Sequence, residues 1–156
     1  MGRPLTARTA SLDHPHTTGT ADARARRTRA VIDAGAADPP ALRRDVHDLA
    51  VRAGFGDRAG DLTLAVAELL ANALEHGRPP VVVEGWFDGR LVIEVTDSGA
   101  GMDRDAIWRT HPPGPSGDRG RGLWIVRQLV DVVTVRSGPE GTTVHVELSP
   151  EPHIGA

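Results

Sequence analysis

Apolar residues recur along this chain at two different periods, and the change of period marks out its elements. Leu42, Val46, Leu49, Ala50 and Ala53 fall on one side of a helix predicted over Ala41 to Ala53. Pro40 suits its first turn and Gly54 its end. A second helix is predicted through the nearly unbroken apolar run from Leu62 to Leu74. Gly60-Asp61 offers it an N-cap, and Gly77, ahead of Pro79-Pro80, stops it. The period then shifts. Val81 to Phe87 and Arg90 to Thr96 are rich in β-branched and large apolar residues, and Asp88-Gly89 between them signals a two-residue hairpin. Met102 to Arg109 predicts a short helix, and His111 to Arg119 a Pro/Gly-rich loop. Gly122 to Val133 carries Leu123, Ile125, Val126, Leu129, Val130 and Val133 on a helical face. Val132 to Arg136 and Thr142 to Leu148 read as two more strands, joined through Ser137 to Gly141.

This order predicts an α+β fold: a two-layer sandwich with a mixed, mainly antiparallel sheet and helices on one face. A doubly wound fold needs regular β–α alternation, which is absent. Residues 1–38 hold no sustained apolar period and predict a flexible tail with a short helix over Ala21 to Ala34. Residues 150–156 predict a second, disordered tail, leaving 39–149 as the folded domain.

Composition narrows the chemistry. The 156 residues carry a formal net charge of −3, so no basic excess points to direct nucleic-acid binding. There are no cysteines, which excludes disulfides, thiolate metal sites and thiol catalysis. No run reaches membrane-helix length and no signal-peptide core follows the N-terminus, so a cytoplasmic location with no membrane partner is expected. Lysine is also absent. A Walker-type phosphate loop and a kinase strand lysine are therefore ruled out.

Within the second helix, Glu68, Asn72 and His76 recur at i, i+4, i+8 and share one face. A carboxylate and an amide in so apolar a helix need partners. Two readings fit: a buried pair tied up in hydrogen bonds, or a cleft face where Glu68 handles a proton and Asn72 ligates a hard cation. Downstream, Asp97-Ser-Gly99-Ala-Gly101-Met102 puts a carboxylate at a strand end before two glycines. Such a loop lets a flat ligand lie on backbone while the acid accepts a hydrogen bond. Gly120-Arg121-Gly122-Leu123 opens a helix, where free N–H groups and the dipole suit phosphate. Gly141-Thr142 opens the last strand. Each piece alone is modest.

The ordered set (Glu-x-x-x-Asn, Asp-x-Gly-x-Gly, Gly-x-Gly-Leu, Gly-Thr) resembles the ATP-binding domain shared by the gyrase, Hsp90, histidine-kinase and MutL superfamily, the Bergerat fold. Ala-Val-Ala-Glu-Leu-Leu-Ala-Asn-Ala-Leu-Glu-His-Gly and Arg-Gly-Leu-Trp-Ile-Val-Arg-Gln-Leu-Val-Asp are similar to the small bacterial anti-sigma-factor serine/threonine kinases. The likeness runs from Leu42 to Leu148.

The resemblance implies ATP and Mg²⁺ as cofactors. Asn72 would bind the metal, Glu68 would serve as general base, and His76 would lie near the phosphates or support the helix. Asp97 would accept from the adenine amine, with Gly99, Gly101 and Met102 around the base and sugar. Residues 110–119 would form a lid. Gly120, Gly122 and Leu123 would hold phosphates at the helix start, Arg121 or Arg119 would add charge, and Thr142 would join the adenine network. The implied partners are a sigma factor and a STAS-type anti-anti-sigma protein, with a homodimer as assembly.

Val46-His47-Asp48-Leu49 echoes a histidine-kinase phosphoacceptor box, but the basic–proline pair and the long dimerisation hairpin are missing, so autokinase chemistry is rejected. Two functions remain: a kinase acting on a serine or threonine of the antagonist, and a catalytically weak ATP-dependent module that sequesters a regulator. Slow ATP hydrolysis with water as acceptor is a third.

Overall fold

The computed structural model describes residues 28–32, 39–103, 107 and 121–150. Among them are five strands, β1 (Thr28–Ile32), β2 (Val81–Phe87), β3 (Leu91–Asp97), β4 (Val132–Gly138) and β5 (Gly141–Leu148). The helices are α1 (Pro39–Arg52), α2 (Ala59–His76) and α3 (Arg121–Leu129), with a 3-10 turn at Gly56–Arg58. The strands form one sheet in the order β1-β2-β3-β5-β4. The α+β sandwich matches the expectation, but every pairing is antiparallel where a mixed sheet was expected. The reason is topological. β3 and β4 run in the same direction, but β5 lies between them, so the crossover through α3 never makes a parallel ladder.

Several local expectations change. The short helix expected over Ala21 to Ala34 is instead a strand at 28–32, paired with β2 from Thr28↔Gly85 to Ile32↔Val81. Edge pairing overrides the helix preference of an Ala/Arg-rich stretch. α3 ends at Leu129, not Val133, because Val132 and Val133 already pair with Glu147 and Val146. Three residues, Asp88 to Arg90, connect β2 to β3 in place of the expected two, with Gly89 at φ 81°. α2 starts at Ala59 with no side-chain cap, since the 3-10 turn feeds straight into it and the Ala59 N–H bonds the Gly56 carbonyl. The short helix expected over Met102 to Arg109 and the tail expected over 150–156 lie largely outside the described residues. Ile107 is helical, its N–H on the Asp103 carbonyl at 3.1 Å.

Alternation along the strands decides which face is covered. Val81, Val83, Leu91, Ile93, Val95, Val144, Val146 and Leu148 point to one side and are buried under the helices. There they join Leu49, Leu62, Leu69, Leu123 and Val126 in a single core. α1 comes close enough to the sheet that a side chain at Gly85 would displace its neighbours. A Cβ there would stand 2.6 Å from Leu49 Cδ2 and 2.7 Å from Ile93 Cδ1. Arg58 fixes the far end of α3. Its guanidinium donates to Asp131 Oδ2 at 2.8 Å and to the Leu129 carbonyl at 3.3 Å, and the Ser149 N–H reaches the same carboxylate at 2.7 Å. A cation on the last carbonyls of a helix also complements its dipole. The Arg58 hydrogen bond, more than the Ser149 N–H, holds the Asp131 carboxyl below its ordinary pKa. No described helix is long and apolar enough to cross a membrane.

The opposite face carries polar side chains bonded across strands. His145 Nδ1 lies 2.9 Å from Glu94 and Nε2 2.9 Å from Glu147. Arg90 donates to Glu147 at 2.8 Å, and Trp86 meets the imidazole edge-on at 6.3 Å. Trp86 therefore belongs to this face. Burial of the ring disfavours the His145 cation, but the hydrogen bonds and attraction of the two carboxylates outweigh it and raise the pKa above 6.5. A raised folded-state pKa means that this contribution is full below about pH 6.5 and fades as pH climbs through the folded value. Replacing His145 with Gln should cost about 0.5–1 kcal/mol near pH 5.5 and much less at pH 9, measured by urea unfolding. A cost that does not change with pH would contradict the carboxylate–imidazolium account.

Candidate nucleotide site

The site is built where three element ends meet. Glu68 and Asn72 sit half-buried on one face of α2, as their spacing predicts. Asp97 ends β3 and is paired directly with Thr142 at the start of β5. Gly122, in the first turn of α3, is buried. α2 is central because its C-terminal half touches both other ends.

Close backbone approach explains the glycines better than backbone freedom does. Gly77 caps α2 at φ −91°, an extended conformation open to any residue, so backbone freedom is not what requires it. A Cβ on Gly77 would stand 2.4 Å from Asp97 Cγ and 2.5 Å from the Ala73 carbonyl oxygen. Gly99 seats on Gly77 in turn, its would-be Cβ 2.9 Å from Gly77 Cα, and its N–H donates to Asp97 Oδ1 at 2.8 Å. The helix end, the acid and the following loop thus form one tight stack. The Ser98 N–H closes it on the Arg78 carbonyl at 2.9 Å.

At the other pole, a Cβ on Gly122 would stand 2.8 Å from Asn72 Nδ2 and 3.1 Å from Oδ1. The amide therefore lies directly against the first turn of α3. An oxygen donor on α2 and the N–H-rich start of α3 meet at one point, suited to a cation and an anion held together. Leu123 and Val126, both buried, anchor that end of α3 in the core.

Other predicted residues fall as follows. Thr142 is 4% exposed, and its hydroxyl lies 2.9 Å from Ser137 Oγ. Met102 is half-buried and its N–H donates to Ser137 Oγ at 2.6 Å. Gly101 takes φ 99° and abuts the Gly138 carbonyl, 2.7 Å from where its Cβ would be. His76 is exposed at the end of α2, with Nε2 3.7 Å from the neighbouring Glu75, not drawn to Asn72 or Asp97. Arg121 is the first residue of α3. Gly120, Arg119 and the lid expected over 110–119 lie outside the described residues. His47 is exposed on α1 beside Asp48 at 3.9 Å, away from this cleft face. Sequence reasoning missed Gly77 as a packing residue, and it missed Ser137. The only signal for Ser137 was its place at the β4–β5 turn, opposite Thr142 in the ladder.

The model of the histidine kinase-like ATPase domain family matches residues 23–148. Among solved structures, the chain is similar to the RsbU and RsbW domains of Rv1364c from Mycobacterium tuberculosis, with 22% identity and a TM-score of 0.55 over 79% of this chain. It is also similar to a histidine kinase domain from the Erythrobacter litoralis EL346 blue-light activated histidine kinase, with 27% identity and a TM-score of 0.48 over 70% of this chain. The chain spans 31% and 63% of the lengths of those two structures. No match is found among curated proteins.

The two glycines flanking α2 should respond in opposite directions to alanine. Gly60 lies in the first turn with open space where a Cβ would stand. Gly60→Ala should stabilise by about 0.5 kcal/mol through helix propensity. Gly77→Ala should cost about 2–4 kcal/mol by forcing α2 off Asp97. Denaturant midpoints test both, and equal effects would contradict the stacking.

Proposed function

This chain belongs to the histidine kinase-like ATPase family, and from that premise we propose that it is an ATP-dependent serine/threonine protein kinase of the anti-sigma-factor type. It would regulate transcription by partner switching, phosphorylating a STAS-type anti-anti-sigma protein and otherwise holding a sigma factor. Family membership implies ATP binding and supports ATP-dependent phosphotransfer in general. The finer reading rests on the motif resemblance and on one observation: Asn72 lies against the start of α3 with Glu68 one turn before it on the same face.

The residues fit MgATP. Among the described residues no cluster of three or more His, Asp or Glu builds a metal cage. One or two side-chain oxygens completed by phosphates is the usual way to hold Mg²⁺. Asn72 offers its amide oxygen to the metal, and the N–H groups around Gly122 face the phosphate oxygens. Asp97 would accept from the adenine amine, beside a loop that Gly99 packs onto Gly77 and Gly101 onto Gly138. When bound, MgATP would supply the transferable phosphoryl group and the positive charge of the metal. Glu68 accepts the proton of the incoming serine or threonine hydroxyl, and its place one turn from Asn72 puts base and metal ligand side by side. Arg121 or Arg119 would add positive charge in a chain without lysine.

The test uses purified chain, γ-labelled ATP and a STAS-type antagonist. Acid-stable label on serine or threonine is expected. Glu68→Gln should lower the transfer rate by about 10²–10⁴ while MgATP affinity stays within about threefold. ATP bound without any transfer would favour the alternative, a nucleotide-gated binding module. Acid-labile label on the chain itself would contradict both.

A further inference from the structure

Ser137 has no role in the account so far, yet two parts of the pocket meet on its hydroxyl. The Met102 N–H donates to Ser137 Oγ at 2.6 Å, and the same oxygen lies 2.9 Å from Thr142 Oγ1. Thr142 stands directly opposite Asp97 in the β3–β5 ladder and is 4% exposed. One oxygen of Asp97 already accepts from the Gly99 N–H. The loop after β3 is thus tied to the β4–β5 hairpin through Ser137, at the place where Gly101 closes on Gly138.

We propose that Ser137 is a positioning residue for nucleotide recognition, orienting the Thr142 hydroxyl as a donor toward a ring nitrogen beside the adenine amine. The inference rests on the ATP reading above. A backbone N–H can only donate, so the direction of the first bond is fixed, from Met102 to Ser137. A hydroxyl that accepts a strong hydrogen bond becomes a better donor, which favours Ser137 donating onward to Thr142. The Thr142 proton is then free to point at the ligand. A carboxylate acceptor beside a hydroxyl donor matches an amine next to a ring nitrogen, the pattern adenine presents. Guanine presents a carbonyl and a ring N–H, the opposite pattern. Without Ser137, the Thr142 hydroxyl loses the partner that sets its direction.

Calorimetric titration of ATP, 1-deaza-ATP and 7-deaza-ATP separates this role from plain loop support, since each analogue lacks one ring nitrogen next to the amine. Ser137→Ala should weaken ATP about fivefold, and Ser137→Thr should restore it to within about twofold. In a Thr142→Val background Ser137→Ala should add nothing, and one deaza analogue should be indifferent to Ser137→Ala. Equal losses for ATP and both analogues, or additive losses with Thr142→Val, would overturn the proposal while leaving the ATP reading intact. An unmutated chain that binds no ATP would overturn both.

Discussion

The seat of the α2 C-terminus on Asp97 is the contact on which the rest of the molecule depends. Gly77, Asp97 and Gly99 stack with no room for a Cβ on either glycine. That stack sets how far α2 reaches across the sheet, and so where Asn72 stands. Asn72 in turn receives the first turn of α3 at Gly122. Both poles of the cleft are therefore referenced to one helix, and a shift at Gly77 moves them together. Apolar burial supplies the driving force, since α2 contributes Leu62, Ala65, Val66, Leu69, Leu70 and Ala73 to the core. The glycines supply the distance.

The two ends of α3 differ in a way that bears on function. Its C-terminal end is held by Arg58 and Asp131, with the Ser149 N–H on the same carboxylate. Arg127 also bonds the Ile107 carbonyl. The N-terminal end instead meets Asn72. A helix pinned at its far end presents its first turn at a defined place, which suits repeated binding of a charged ligand. The sheet's other face plays no part in this. Its imidazole–carboxylate ladder crosslinks β3 and β5 behind the site and adds a pH-dependent share of stability.

Much of the site was legible because its residues carry local signals. The i, i+4 spacing put Glu68 and Asn72 on one face, and the glycines before α3 marked a helix start, though not its contact with Asn72. The strands β2, β3 and β5 followed from β-branched runs and alternation. What escaped depended on tertiary distance. Gly77 looked like an ordinary helix stop, yet its backbone conformation suits any residue, and the closeness of Asp97 and the Ala73 carbonyl is what requires glycine there. Ser137 looked like a turn residue until the ladder placed it opposite Thr142. β1 was missed because its short run, although β-branched at Thr28, Val31 and Ile32, sits in an Ala/Arg-rich stretch that reads as helix until it pairs with β2. The overlap of helix and strand at Val132 and Val133 was resolved by register with β5.

The central claim is that one cleft, with Asn72 at one pole and Asp97 at the other, binds MgATP. Calorimetric titration of the purified chain with MgATP, alongside Asn72→Ala and Asp97→Asn, tests it most directly. The account predicts binding by the unmutated chain and at least about a tenfold loss in each variant, with both variants still folded. No binding by a folded, unmutated chain would contradict it, as would binding that neither substitution disturbs.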